Sequence, residues 1–547
     1  MIRLNTLKIS LILFFLNNIA IAQNLRVDIK TYQLPILADQ SINVIKRYVI
    51  HSDIALYNQK IELPITIDKF NNQIVKQIEL WQSNTDTTLL KDGNKEKFEK
   101  LQSQVFQKAK TNLMAVTNIK KGANYFWLSV QVPPVKNLLT PLDISYDALK
   151  LNGKKIKFQD LKSSSHRYAV AVRRHKQDRV HTSRIPGIIT AKDGSLVSVY
   201  DARYESGRDL QGHMDIGVSR SLDGGHSWLP FEVAIDMGEF GGLGQKWNGV
   251  SDPNIIINEN NGEIFVAGLW MHGVIDETGT WYPGIKDGKE IWNHQWKTKG
   301  SQPGFGIKET SQFLMVRSQD NGKTWSKPIN LTEMCKKEDW WLWAPAPGHG
   351  LTMKNGTLVM PTQGRDNSGK AFSNITYSKD GGKTWLTSNP ALPRSTTECM
   401  AVELDDGRIM LNMRSNLNST EKGEKNGRAV ATTNDMGKTW IEHPTSHHAL
   451  IEPTCMASIH KHHYSESGNE KTLLVFCNPN SKYERVNISL KISKDNGNTW
   501  ISKTLLDEGK GRGYSCITSI DKNTIGILYE SSQADLVFQQ VSLKELL

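Results

Sequence analysis

The sequence predicts an all-β protein, a six-bladed β-propeller preceded by a β-sandwich domain. One turn recurs five times: SLDGGHSW (residues 221–228), SQDNGKTW (318–325), SKDGGKTW (378–385), TNDMGKTW (433–440) and SKDNGNTW (493–500). Its aspartates, Asp223, Asp320, Asp380, Asp435 and Asp495, lie 97, 60, 55 and 60 residues apart. That interval suits one propeller blade per copy. A second observation is that residues 24–165 carry no copy and read instead as short alternating strands, such as ELPITI and YFWLSVQV, between Lys/Asn-rich loops.

In chain order, residues 1–22 have a basic start, an apolar run at 11–16, and Ala20 and Ala22 before Gln23. This is the pattern of a secretory signal peptide. No later stretch approaches the roughly 20 apolar residues of a membrane helix. Gln23 is not a cysteine, so no lipid anchor is expected. The expected destination is outside the cytoplasm, with the periplasm favoured over the extracellular space because the chain stops shortly after its last blade. Loss of the leader removes Arg3 and Lys8, so the formal charge of +11 falls to +9. The excess is scattered through loops without a stacked-aromatic or groove-reading motif. This argues against nucleic acid as a partner and fits an anionic substrate.

Residues 23–167 form the sandwich, which serves either as a packing and spacer domain or as a carbohydrate-binding one. One helix is expected inside it, at KEKFEKLQSQVFQKAK (95–110). After KSSSHRY the pattern changes, and residues 168–547 supply about six repeats of roughly 60 residues. The 97-residue interval reads as one blade with an insertion. Within each turn the Asp accepts backbone N–H bonds, Gly adopts positive φ, and Trp packs between neighbouring sheets. Calcium at DNG lacks the remaining carboxylate ligands. The five cysteines, Cys335, Cys399, Cys455, Cys477 and Cys516, are odd in number and lack paired zinc spacing. HKHHY (460–464) reads as a solvated loop rather than a metal site. No metal and no other cofactor is expected.

The five Asp boxes, SRIPG before the first of them, and TTECMAVELDDGRIMLNMRS between the third and fourth resemble the secreted bacterial exo-α-sialidases (neuraminidases), over residues 170–547. The dominant feature of a sialic acid is a carboxylate on the anomeric carbon. A guanidinium presents a planar, permanently charged fork to such a group. The resemblance places the family's arginine triad on Arg184 of SRIPG, Arg414 of LNMRS and Arg485 of NPNSKYERVNIS. It makes Glu530 of GILYESS the acid that orients Arg184. The family usually has Phe or Tyr where this chain has Ser183, which bears on local packing rather than on the arginine.

The resemblance also implies a tyrosine nucleophile, Tyr514 of GRGYSCITS. The electrostatic rationale is that an attacking carboxylate would meet the substrate's own carboxylate, whereas a phenol does not. A phenol titrating near pH 10 needs a base, and Glu398 of TTECMAVEL matches, with Glu403 structural. In YDARYESGRDLQGHMDIGVSRS, Asp209 matches the general acid and Arg203 the arginine that contacts the ring substituents. Asp201 is the alternative acid and Asp215 is structural. Asp252 of WNGVSDPNIII matches the acceptor for the sugar 4-hydroxyl. Trp340, Trp341 and Trp343 are read as core rather than as an aglycone platform. The implied function is retaining hydrolysis of terminal α-linked sialic acids from glycoproteins, glycolipids or oligosaccharides. The alternatives are transfer to another hydroxyl and a propeller that binds glycans without catalysis.

Overall fold

The computed structural model describes residues 25–68, 75–83, 88–134, 137–156, 163–210, 212–242, 244–272 and 301–547, with the backbone of the short strands Ile285–Lys286 and Lys289–Glu290. The expected leader lies outside the described residues, as does part of the 97-residue interval between the first two Asp boxes. The chain divides into two compact units between Ala169 and Val170.

The first unit is a β-sandwich. One sheet runs Leu25–Thr31, Asn43–Ser52, Gly122–Gln131, Gln77–Ser83, Glu99–Val105. The other is built around the long strand Leu56–Ile67, which pairs with Lys110–Ile119, Leu142–Tyr146 and Lys150–Leu151. Tyr32, Val44, Trp81, Phe98 and Trp127 pack together in its core. The expected helix at 95–110 is not formed. Its residues make a 3₁₀ turn, Asp92–Lys97, and then the edge strand Glu99–Val105 paired with Gln77–Ser83. Phe98, Leu101 and Val105 mimic a helical stripe by their spacing. Only Phe98 enters the core, while Val105 is 58% exposed, and pairing to the sheet edge outweighs local helix propensity.

The second unit is propeller-like. Among the described residues it holds six sheets of four or five strands, each an antiparallel meander in chain order apart from short added strands. The sheet of Ser515–Asp521, Thr524–Tyr529 and Leu536–Ser542 also takes the strand Tyr168–Arg173, with Val170 opposite Phe538. First and last strands of this unit thus share a sheet.

Each Asp box is a self-contained knot. In SLDGGHSW, Asp223 Oδ1 accepts from Ser227 N (2.9 Å), and Oδ2 accepts from Ser227 Oγ (2.6 Å). Ser221 Oγ in turn accepts from Gly225 N at 2.8 Å. The hydroxyl-to-Oδ2 bond recurs at 2.6 Å in the other four boxes. Glycine is required for conformation and for space. Gly225 has φ +98°, and a Cβ there would lie 2.1 Å from Phe538; at Gly382 (φ +88°) it would lie 2.5 Å from Phe265. The box tryptophans sit between sheets. Trp325 packs against the core cluster that contains Val197, Val218 and Ile255, and Trp385 belongs to the one with Phe265, Phe313 and Trp343.

HKHHY is not a loop but the middle of the strand Ser458–Glu466. Its alternation turns His462 inward and His463 outward. Ser519 Oγ lies 2.8 Å from both His460 Nε2 and His462 Nδ1. Burial pushes these imidazoles below the usual histidine range. All five cysteines are buried free thiols. Among the described residues no helix is long and apolar enough to cross a membrane, and no group of three or more His, Cys, Asp or Glu side chains is arranged to hold a metal ion.

Candidate active site

Three of the strands that carry candidate residues share one irregularity. In Thr182–Thr190 the register shifts between Arg184 and Gly187; in Val250–Ile257, between Ser251 and Asn254; in Thr396–Glu403, between Thr396 and Cys399. Each advances three residues against two on its partner, so each is a single-residue bulge. Arg184, Asp252 and Glu398 stand at these bulges, where an extra residue breaks the alternation and re-aims side chains. Pro186 and Pro253 fall inside two of them, where a missing N–H is tolerated. Ile185 and Asp252 take the left-handed conformation, φ +61° and +57°. For a β-branched residue this costs about 1–3 kcal/mol. Part of that is offset because Glu530 Oε1 accepts the Ile185 N–H at 3.0 Å.

Glu530 is the central joint. It is fully buried, accepts from Arg184 Nε (2.9 Å) and Nη2 (3.2 Å), and also accepts the Tyr514 N–H at 3.1 Å. Burial alone would raise its pKa, but the charge and hydrogen bonds of Arg184 hold it below the usual carboxylate range. The same joint therefore fixes the first candidate arginine and the candidate nucleophile.

The Tyr514 hydroxyl donates to Glu398 Oε1 in a very short bond. Arg414 Nη1 donates to Glu398 Oε2 (2.6 Å) and to the Tyr514 hydroxyl oxygen (3.2 Å). The guanidinium carbons of Arg184 and Arg485 lie 5.2 Å and 5.5 Å from the centre of the tyrosine ring. Burial, then the negative charge of Glu398, push the phenol pKa well above its ordinary value. The resting group is a neutral phenol with a proton acceptor already in contact. Arg485 is anchored by its own donors, to the carbonyls of Arg512 (2.9 Å) and Thr454 (3.2 Å).

On the other side of Arg184, its Nη1 lies 3.6 Å from Asp209 Oδ1. Asp209 occupies the loop after Leu196–Arg203, and its side chain is 42% exposed. It is tethered by Arg203 Nη1 at 2.7 Å. Asp201, with no exposure at all, accepts from Arg203 Nε and Nη2, Ser251 Oγ and the Asp252 N–H. Gln363 Nε2 donates to Asp252 Oδ2 at 3.2 Å. Burial, then the nearby charges of Asp201, Glu398 and Asp209, raise the Asp252 pKa well above the ordinary carboxyl value.

All nine candidate residues thus fall into one connected constellation. Ser183, where the family pattern has an aromatic residue, is buried and donates its N–H to Asp535 Oδ2 at 2.9 Å. Trp340 and Trp343 are core residues, and Trp341 covers Gly369. Glu403 accepts the Lys354 N–H at the far end of its strand. The residues that sequence reasoning missed are Ser251, Gln363 and the fully buried pair Arg428–Glu452 (2.6 Å). Glu452 Oε1 accepts the Ser415 N–H next to Arg414.

Asp215 offers a check on the electrostatics. Burial pushes its carboxyl pKa up to about 7, and Tyr204 donates to Oδ2 at 2.7 Å while Oδ1 has no partner. A carboxyl whose folded pKa is raised keeps its proton where the unfolded chain has lost it. Its contribution to stability therefore falls as pH rises from about 4 to about 7 and is flat above. Asp215→Asn is expected to melt higher than wild type at pH 8, with the gap narrowing towards pH 5. A thermal melt series across that range measures it, and a pH-independent gap would contradict the assignment.

The fold and this constellation together define a glycoside hydrolase. The BNR repeat-like domain family matches residues 185–520, and the N-terminal domain of BNR-repeat neuraminidase matches residues 24–155. The chain belongs to the BNR-repeat exo-α-sialidase (neuraminidase) family, whose enzymes act on sialic-acid substrates. It is 42% identical to a sialidase of Bacteroides fragilis over 430 residues, covering 78% of this chain and 74% of that one. It is 29% identical to a sialidase of Clostridium perfringens over 368 residues, 64% of this chain and 86% of that one. Among solved structures, Hadza microbial sialidase Hz136 superposes with a TM-score of 0.84 at 35% identity, covering 95% of this chain and all of that one.

Proposed function

We propose that the chain is a retaining exo-sialidase that works through a tyrosyl-enzyme intermediate on a six-bladed propeller. The six sheets of the second unit are its blades in this reading, and the pairing of Val170 with Phe538 is the closure of the ring. The observation that carries the mechanism is the contact set of Tyr514. A neutral phenol donates to Glu398, Arg414 touches both, and Arg184 and Arg485 flank the ring.

Arg184, Arg414 and Arg485 bind the substrate carboxylate and Arg203 the ring substituents, with Asp252 at the 4-hydroxyl. As Glu398 accepts the phenolic proton, the Tyr514 oxygen attacks the anomeric carbon, and Asp209 gives its proton to the departing glycosidic oxygen. Water, deprotonated by Asp209, then displaces the tyrosine from the opposite face as Glu398 returns the proton to the departing phenolic oxygen. Two inversions give net retention. The exposed, looped position of Asp209 suits a group that must meet leaving group and water in turn. The transferring variant uses the same residues with a sugar hydroxyl in place of water. Residues 1–22 are an export leader in this reading, with the periplasm as the place of action.

The test is capture of the intermediate. A 3-fluorinated sialosyl fluoride destabilises the oxocarbenium-like transition states while keeping a good leaving group, so the glycosylated enzyme accumulates. Intact mass should rise by one sugar, and peptide mapping should put it on Tyr514. Label on a carboxylate, or inversion seen by NMR with sialyl-lactose, would exclude the mechanism. The same NMR time course separates water from a sugar hydroxyl as acceptor.

A further inference from the structure

We infer that Arg512 is a positioning residue that latches the loop bearing Asp209 beside Tyr514, an inference that rests on the acid role proposed for Asp209. The Gly207 carbonyl, two residues before Asp209, receives two guanidinium donors. Arg203 Nη1 reaches it at 3.0 Å from the strand that leads into the loop, and Arg512 Nη1 at 3.3 Å from the segment that leads into Ser515–Asp521. The first of these donors also holds Asp209 itself. The second comes from a different sheet, two residues before the nucleophile.

The approach is possible because residue 207 has no side chain. A Cβ there would lie 2.7 Å from Arg512 Nη2 and 3.1 Å from Nη1. The base of the latch is firm. The Arg512 carbonyl accepts from Arg485 Nη1 at 2.9 Å, and the Gly511 N–H donates to the Arg485 carbonyl at 3.1 Å. The guanidinium itself is exposed, and no carboxylate lies within ion-pair distance of it among the described residues. It stands near Arg184 and Arg203, whose like charges oppose its own, and near Glu530 and Asp535, whose charges favour it. Its hydrogen bond goes to a loop carbonyl, so its consequence is geometric: Arg512 sets where the loop stands relative to the Tyr514 segment. Without Arg512 the Gly207 carbonyl keeps the Arg203 donor but loses its link to the Tyr514 segment.

In formation of the tyrosyl intermediate Asp209 acts only on the departing oxygen, so in that step leaving groups separate the latch from general damage. The single-turnover rate of forming the tyrosyl intermediate from 3′-sialyl-lactose and from an aryl sialoside is measured for Arg512→Ala, Arg512→Lys, Gly207→Ala and Asp209→Ala. Misplacing a catalytic group by about 1 Å costs on the order of 10²-fold, so Arg512→Ala should slow sialyl-lactose cleavage by about 10- to 100-fold. The aryl substrate should be little affected. Arg512→Lys keeps a donor for the Gly207 carbonyl and should recover most of the loss, while Gly207→Ala should reproduce it. Equal slowing of both substrates by Arg512→Ala, no slowing, or no rescue by lysine overturns the latch. If Asp209→Ala discriminates between the substrates and Arg512→Ala does not, the latch alone falls. If Asp209→Ala does not discriminate, the acid assignment falls and the latch with it.

Discussion

Tyr514→Phe is expected to lose turnover by on the order of 10⁴- to 10⁶-fold, the range seen when members of a nucleophilic constellation are removed. It should still bind a planar, unsaturated sialic-acid mimic nearly as well as wild type. The substitution removes one oxygen. The Arg414–Glu398 pair at 2.6 Å remains, and a phenyl ring keeps the flanking contacts with Arg184 and Arg485. Carboxylate binding and charge arrangement survive while the attacking atom is gone. Stopped-flow turnover with an aryl sialoside and calorimetric titration of the mimic provide the two measurements. Wild-type turnover would remove Tyr514 from the mechanism. Lost affinity would show that its hydroxyl organises the arginines rather than attacks.

The second large effect is the contrast between Asp209→Ala and Glu398→Gln. A sugar alkoxide is a poor leaving group and a nitrophenolate is a good one. General acid catalysis contributes about 10²- to 10⁴-fold, so Asp209→Ala should lose that much on sialyl-lactose and far less in forming the tyrosyl intermediate from an aryl sialoside. Glu398→Gln should lose heavily on both, because a buried phenol must shed its proton whichever group departs. The measured quantity is the ratio of rates on the two substrates for each variant. Equal losses for Asp209→Ala would move the acid elsewhere. Asp201 is poorly suited to inherit the role, since it is enclosed and its oxygens are held by Arg203, Ser251 and the Asp252 N–H.

What could be read in the sequence divides along a physical line. The Asp boxes were legible because their hydrogen bonds close within four residues, so composition and conformation are written in the same few letters. The candidate site residues were legible because each sits in a short motif whose chemistry is specific. The bulges were not, since they exist only in the register between two strands. The roles of Arg512 and Gln363 depend on partners more than 100 residues away. The errors have the same origin. At 95–110 and at 460–464, local spacing and polarity pointed one way and pairing to a neighbouring strand decided otherwise.

Glu530 joins Arg184 and the Ile185 N–H to Tyr514, and the strand containing Val170 waits for Phe538. During synthesis these partners emerge roughly 350 residues apart, a delay of about 20 to 70 s at ribosomal speeds of 5–20 residues per second. For that interval the early blades exist without the last sheet. Arg184 lacks the Glu530 carboxylate, and Tyr514 has not been made. On the proposed mechanism a nascent chain carries no activity until the segment bearing Tyr514 and Glu530 has been released.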